Sequence, residues 1–343
     1  MIPRLRMSIQ HEHKRVDDIA RLLKGKLAKL LFNERAITEK MLRNTISAAN
    51  AWGDIADAFG VDTSAKSLSR SNDTAIIFRA FTEGSIRSEK LRSKLHKHPF
   101  PDINKLGIYS DSDIIYHLGG GLTNAIQISS KAASHKCPFK KASRVLDFGC
   151  GTSRILRYMV ELLPGPAYYA SEVFVENVNW GRQAFPEVNY LHQNNLPPLD
   201  IKDCSFDIIY AYSIFTHYEE EIHKKWLEEL HRLLKPGGIL ILTVHGKTIL
   251  GRCEKEEDIR IAMSFGDRNY QEIKNKFYSH GYVFYKCYDS QHLEKGGLDA
   301  DIFGISFISR EYIQEHWTRQ FELLEYDAGA VSNWQDYVVL QKQ

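Results

Sequence analysis

VLDFGCGTSRILRYM, Val145 to Met159, is the stretch on which the fold turns. A short buried strand ends at Asp147, the chain passes through Gly149-Cys150-Gly151, and a helical pattern opens behind it. Glycine lets the backbone turn sharply and come close to a ligand, and a helix N-terminus offers amide donors that no earlier residue fills. A small polar ligand is expected at this turn. Two phosphate-binding readings fail on spacing. The third glycine of a dinucleotide fingerprint would fall on Arg154, and Gly151 is followed by Thr152-Ser153 without the lysine of a phosphate loop.

Outward from this turn, short β-branched and aromatic runs alternate with helical patterns. Strands are expected at 143–148, 167–172, 188–193, 206–212 and 238–245, with helices at 153–163, 175–184 and 219–234. Strands separated by helices of this size form βαβ units and a parallel sheet covered on both faces. After His245 the alternation stops. Residues 251–305 read as a cap insertion with a helix near 267–280 and a strand at 282–288. The end of the chain, through WQDYVVLQKQ, reads as helix, strand, turn and strand, an antiparallel hairpin added to the sheet. The expected class is therefore α/β: a doubly wound, mostly parallel seven-stranded sheet with an antiparallel C-terminal hairpin.

Upstream, apolar residues at Val16, Ile19, Leu22, Leu23, Leu27, Leu30 and Leu31 recur at helical spacing. Residues 1–60 are expected to be a helical appendage, structural or dimerising, so a homo-oligomer built through these helices is one partner expectation. VDTSAKSLSRSNDT, 61–74, reads as a linker, and 61–142 as linker plus an approach or lid segment in which the triple glycine at 119–121 marks a bend. The sheet domain with its cap then occupies 143–343.

Composition narrows the functional classes. The 343 residues carry 45 Lys+Arg against 43 Asp+Glu, a formal charge of +2, which gives no overall field to attract nucleic acid. No apolar run approaches the roughly 20 residues of a membrane span. Five cysteines, at 137, 150, 204, 253 and 287, are odd in number and contain no C-x-x-C pair, which argues against a disulfide framework and a zinc finger. Reduced thiols and a cytoplasmic location are expected. No His/Asp/Glu spacing compels a metal site, and metal dependence stays open.

Glu172 falls 21 residues after Gly151, at the end of the second strand, where a carboxylate can accept both hydroxyl protons of a ribose. Asp147, ending the first strand, attracts an ammonium group and repels a phosphate. An adenosine joined to an amino acid meets both demands. Asn194, Asn195 and Leu196 follow the third strand. An asparagine amide there offers donor and acceptor to an adenine edge, while an ordinary polar turn before Pro197-Pro198 is the other reading. Val173 and Phe174 can pack on the adenine or belong to the core.

Here the sequence resembles the class I S-adenosylmethionine-dependent methyltransferases. VLDFGCGTSR is similar to their first motif and Glu172 to the ribose acid. HQNNLPPLDIKDCSFDIIYAYSIFTHY is similar to their adenine loop and fourth strand, and LEELHRLLKPGGILILTVHG to their helix, Pro-Gly-Gly turn and fifth strand. The strong resemblance spans about 143–247. The segment before the first motif and the ending WQDYVVLQK more loosely resemble bacterial methyltransferases associated with glycan and surface-polysaccharide genes. One departure is Ser153, where many members carry a third glycine; a helix start accommodates serine.

The resemblance implies S-adenosylmethionine as cofactor. It assigns Asp147 to the ammonium, the loop Gly149-Cys150-Gly151 to the methionine part and Glu172 to the ribose. Tyr212 and Ser213 line the groove beneath the methyl donor. Methyl transfer needs donor and acceptor in line, and a hydroxyl acceptor must also lose its proton. His217 lies just past the fourth strand, at the sheet edge where such folds bind ligands, and an imidazole near neutral pKa suits a general base. Glu219, Glu220 or Glu221 stands near enough in sequence to orient it, and His245, ending strand five, competes for the same role. Cys150 has no evident base partner and is not expected to act as a nucleophile. Three readings follow. The first is O-methylation of a hydroxyl on a sugar, glycan or small metabolite. The second is N- or C-methylation of a natural-product intermediate, and the third a non-catalytic binding protein on the same fold. The base-flipping loop of nucleic-acid methyltransferases is absent, because the corresponding stretch is Tyr212-Ser213-Ile214-Phe215.

Overall fold

A computed structural model of the chain describes residue 81 and residues 88–101, 119–265, 267–287, 293 and 297–343. The helices expected within 1–60 lie outside the described residues. The chain divides between Lys97 and His98 into two units. In the first, helix α1 (Glu89–Leu95) is capped by Ser88, whose side chain accepts from the Leu91 amide. In the second, α2 (Gly121–Ser134) leads into β1 (Arg144–Phe148), α3 (Leu156–Leu162), β2 (Ala167–Glu172), α4 (Val175–Ala184), β3 (Asn189–His192) and β4 (Phe206–Ala211). There follow α5 (Glu220–Leu233), β5 (Leu234–Val244), a cap of helices and strands, α9 (Arg310–His316), β8 (Phe321–Val331) and β9 (Gln335–Lys342).

The sheet has the seven strands expected from the sequence, and their order is β3-β2-β1-β4-β5-β9-β8. β3, β2, β1, β4 and β5 run parallel, while β9 pairs antiparallel with both β5 and β8. Strand order reverses beside β1, so a crevice opens beyond the carboxyl ends of β1 and β4. Val145, Leu146, Asp147 and Phe148 are all buried, the pattern of a strand covered on both faces. α5 buries Ile222, Trp226, Leu227, Leu230 and Leu233 at helical spacing, and Trp226 packs on Phe148 with ring centroids 4.8 Å apart. No helix among the described residues is long and apolar enough to cross a membrane.

α2 runs along the sheet and is pinned to the hairpin. Lys131 Nζ donates to Glu325 at 2.6 Å and Asp327 at 2.8 Å, and Gln127 Nε2 donates to the Ala330 carbonyl. The bend expected at the triple glycine is not there, since Gly120 is helical at φ −65° and ψ −43° and Gly121 opens α2; the third glycine has a packing reason instead. A Cβ on Gly121 would stand 2.4 Å from the Arg154 carbonyl oxygen, so only glycine lets α2 lie this close to the donor loop. Arg157 of α3 is fully buried. It donates to the His98 and Pro99 carbonyls and lies 3.9 Å from the Phe100 ring centroid, which fixes the approach segment.

The insertion between β5 and the last helix is a cap with its own core. It contains α6 (Lys247–Lys255), α7 (Glu257–Ala262), α8 (Asp267–His280) and the antiparallel pair β6 (Tyr282–Tyr285) and β7 (Ile305–Ile308). Leu250, Cys253, Met263, Phe277 and Phe307 form its interior. The strand expected to reach 288 ends at Tyr285.

Candidate functional site

Gly149 takes φ +73° and Gly151 φ +54°. The Gly149 and Cys150 amides both donate to the Ser171 carbonyl, at 2.9 and 3.0 Å, which ties the turn to the end of β2. A Cβ on Gly149 would fall 2.2 Å from Cδ1 of Ile214, so the turn needs glycine for close approach and for its backbone angle. Ser153, the residue in place of a third glycine, does not cap a helix. It adopts φ +60°, and its hydroxyl bonds the Tyr190 hydroxyl at 2.6 Å, a local bond that offsets the left-handed backbone; α3 starts three residues later.

Glu172 is buried and already bonded. Its Oε2 accepts from the Gly151 amide at 2.7 Å, and its Oε1 from the Val173 and Phe174 amides at 2.9 and 3.0 Å. Burial raises its pKa, and these three amides oppose the rise. A carboxylate offers about four acceptor directions, so three amides leave about one for a ribose hydroxyl. The same carboxylate shapes the glycine loop. Asp147, in register with Ala170 and Tyr210, is 3% exposed. Burial pushes its pKa up to about 8, opposed by the Tyr210 hydroxyl, reinforced by Glu172 and opposed again by Arg154. A buried carboxyl in that state could pair with an ammonium only by releasing its proton.

The adenine-side residues separate. Asn195 is committed to the cap: its Nδ2 donates to the Gly297 carbonyl at 2.8 Å and its Oδ1 accepts from the Asp299 amide at 3.4 Å. Asn194 is exposed and Leu196 is 43% exposed, at the surface of the same loop. Val173 is half-buried, and Phe174 belongs to the core. Gln193, which sequence reasoning passed over, is 4% exposed with its Oε1 unpartnered among the described residues, and its amide donates to the Glu172 carbonyl. A buried acceptor of this kind, on a residue whose backbone N–H bonds the Glu172 main-chain carbonyl, fits the exocyclic amine of an adenine. Its only sequence signal was a polar side chain directly after β3. Cys150 is buried, and burial raises its thiol pKa, which suits a packing role.

On the other side of the crevice, Tyr212 lies under the Arg154 guanidinium at 5.2 Å. His217 and His245 come together at the cap. His217 Nδ1 lies 2.9 Å from the Gly304 carbonyl and its ring stacks on Phe303, while His245 Nδ1 lies 3.3 Å from the Ser306 carbonyl. A carbonyl only accepts, so each ring donates from Nδ1 and keeps its lone pair on Nε2. The expected near-neutral pKa is not found. Burial pushes His217 down to about 4, opposed by the Gly304 carbonyl, and burial followed by the His217 charge pushes His245 down to about 3. The neighbouring glutamates do not orient His217. Glu219 caps α5, Glu220 accepts from Tyr312, and Glu220 and Glu221 pair with Lys224.

The glycine turn, the two buried acids and Gln193 thus lie together at the carboxyl ends of β1, β2 and β3, at the switch point of a doubly wound sheet. Residues 146–240 match the methyltransferase domain family. Human arginine-hydroxylase NDUFAF5, a mitochondrial protein, is 26% identical over 182 residues. That match covers 52% of this chain and 47% of that protein, so the chain spans about half the length of this curated relative. A Pyrococcus horikoshii protein of solved structure aligns with TM-score 0.46 at 14% identity, covering 71% of this chain and 95% of that one. The Burkholderia thailandensis 1,6-didemethyltoxoflavin-N1-methyltransferase, solved with S-adenosylhomocysteine, aligns with TM-score 0.45 at 13% identity, covering 68% and 84%. Over residues 146–240 the chain carries a methyltransferase domain, the stretch that contains the glycine turn, Glu172, Gln193 and β4.

Proposed function

We propose that the protein methylates a hydroxyl on a sugar, glycan or small metabolite, with His217 as the proton acceptor and His245 as its neighbour. When bound, S-adenosylmethionine supplies an electrophilic methyl group. Asp147 then faces the ammonium, Glu172 a ribose hydroxyl and Gln193 the adenine, while Tyr212 and Ser213 border the groove toward the acceptor. The observation that carries the reading is the pair of imidazoles whose Nδ1 atoms are held by cap carbonyls at the carboxyl edge of β4 and β5, the tautomer in which Nε2 is the basic nitrogen.

The depressed basicity of both rings favours a second reading. An amine that arrives neutral loses its proton only as the methyl is transferred, and a weak base suffices for it. Incubation with S-adenosylmethionine and separate panels of deoxysugars, nucleotide sugars, phenols and amines, read as the mass gain of one methylene, distinguishes the two. Methylation of amines alone would overturn the first. A near-neutral charge supports a small acceptor, and an odd number of cysteines without a C-x-x-C pair supports a reducing compartment such as the cytoplasm. Assembly through the N-terminal helices is proposed on their apolar stripe alone, and comparing the mass in solution with and without residues 1–60 tests it.

A further inference from the structure

Gln335 opens β9 in the hairpin that closes the sheet. The last residue pair between β5 and β9 is Val244 with Asp336, and one further step in that register sets Gln335 across from His245. Its side chain is 8% exposed. Nε2 donates to the Ser213 hydroxyl at 2.8 Å, and Oε1 has no hydrogen-bond partner among the described residues. Ser213 is itself fixed. It sits at φ +59°, its amide donates to Thr243 Oγ1 at 2.7 Å, and its hydroxyl stands 3.5 Å from Thr216 Oγ1. The next residue is Ile214, whose Cδ1 leaves no room for a Cβ on Gly149. Gln335 is thus bonded to the residue adjoining the one that closes over the donor turn, and by register it neighbours a proposed base.

A buried carbonyl oxygen without a donor is an unfavourable arrangement that a stable fold does not need. Apolar residues fill comparable buried positions of the same strand, such as Val338 and Leu340. We propose that Gln335 is a specificity residue whose Oε1 accepts a hydrogen bond from a neutral O–H or N–H group of the methyl acceptor; this rests on the methyl-transfer reading above. A carbonyl oxygen rejects carboxylate and phosphate groups at that position, so the contacted part of the acceptor is uncharged.

The test uses the full chain with Gln335→Met, similar in shape without the amide, and Gln335→Glu, which keeps an acceptor oxygen. S-Adenosylhomocysteine affinity, by calorimetry, is expected to stay within about threefold of wild type for both variants, since the side-chain bond of Gln335 goes to the Ser213 hydroxyl, which borders the groove on its acceptor side. With the acceptor found in the panels, Gln335→Met is expected to raise KM by about 10- to 100-fold and Gln335→Glu to stay within about fivefold of wild type. An acceptor KM within about twofold of wild type for Gln335→Met overturns the proposal. A second arm needs no acceptor. If Oε1 is held unpaired for a ligand, ligand-free Gln335→Met gives up only the bond to Ser213 and melts within about 4 °C of wild type. A fall of about 4 °C or more assigns the amide a structural role and overturns the proposal. Failure of the methyl-transfer reading is seen separately, as wild-type protein that does not bind S-adenosylhomocysteine.

Discussion

The imidazole of His217 stands edge-on to that of His245, with ring centroids 6.4 Å apart and planes at 82°. Two carbonyls of one stretch of the cap, at Gly304 and Ser306, hold both rings in the same tautomer. Under the proposed reaction, a proton leaving the acceptor would meet this pair of neutral imidazoles.

Because burial holds the pair near 4 and 3, their basic forms are fully present at neutral pH and are lost only as pH falls through those values. The acid limb of kcat is expected near pH 4, well below the ordinary 6.5. His217→Gln is expected to lower turnover of a hydroxyl acceptor by about 100- to 10,000-fold with donor affinity kept. A limb near neutrality, or a loss under about tenfold, removes His217 from proton transfer.

Asp147 gives a second pH signature. Its folded pKa of about 8 lies above the ordinary 3.8, so the ligand-free fold keeps its full stability below the lower value and loses some as pH rises through the higher. Donor binding runs the other way, because the ammonium needs the carboxylate. Affinity for S-adenosylhomocysteine should climb by at most about tenfold per pH unit below about pH 8 and level off above it. In Asp147→Asn both slopes should vanish, as calorimetry and melting across pH would show.

Glu172→Ala removes the acceptor of three amides, those of Gly151, Val173 and Phe174. Beyond the loss of a ribose contact, it should destabilise the fold by about 1 to 3 kcal/mol, measured by urea unfolding. Glu172→Gln should fall between, since its NH2 must face an amide donor on one side. An alanine variant as stable as wild type would mean that the loop holds itself without the carboxylate.

At Gly149, alanine meets both a positive φ and the side chain of Ile214. Gly149→Ala should cost about 2 kcal/mol or more of stability and abolish measurable donor binding. Adding Ile214→Ala should restore part of the stability, because the clash is relieved while the backbone strain remains. A double variant no better than the single one would assign the whole penalty to φ.

The placement of the glycine turn and the two acids was legible because its signals are local: β1, the turn and the acid ending β2 lie within a span in which spacing alone fixes relative position. The acceptor half was not. Gly304 orients His217 from 87 positions away, and Gly297 engages Asn195 from 102. Three glutamates adjacent to His217 in sequence were the natural guess for its orienter, and they turned instead into a helix cap and ion pairs. Ser153 misled in a smaller way, since its bond to Tyr190 spans 37 residues and depends on the β3 register.

The contacts that set the two imidazoles come from main-chain oxygens of the cap, and a main-chain oxygen makes almost no demand on which residue carries it. The insertion has an interior of its own, leaves the sheet after β5 and returns before the final helix and hairpin. Substitutions that recut the pocket for a new acceptor can therefore accumulate throughout the cap while its edge strand goes on presenting the same two oxygens. Substrate range can drift in this architecture without the base being rebuilt.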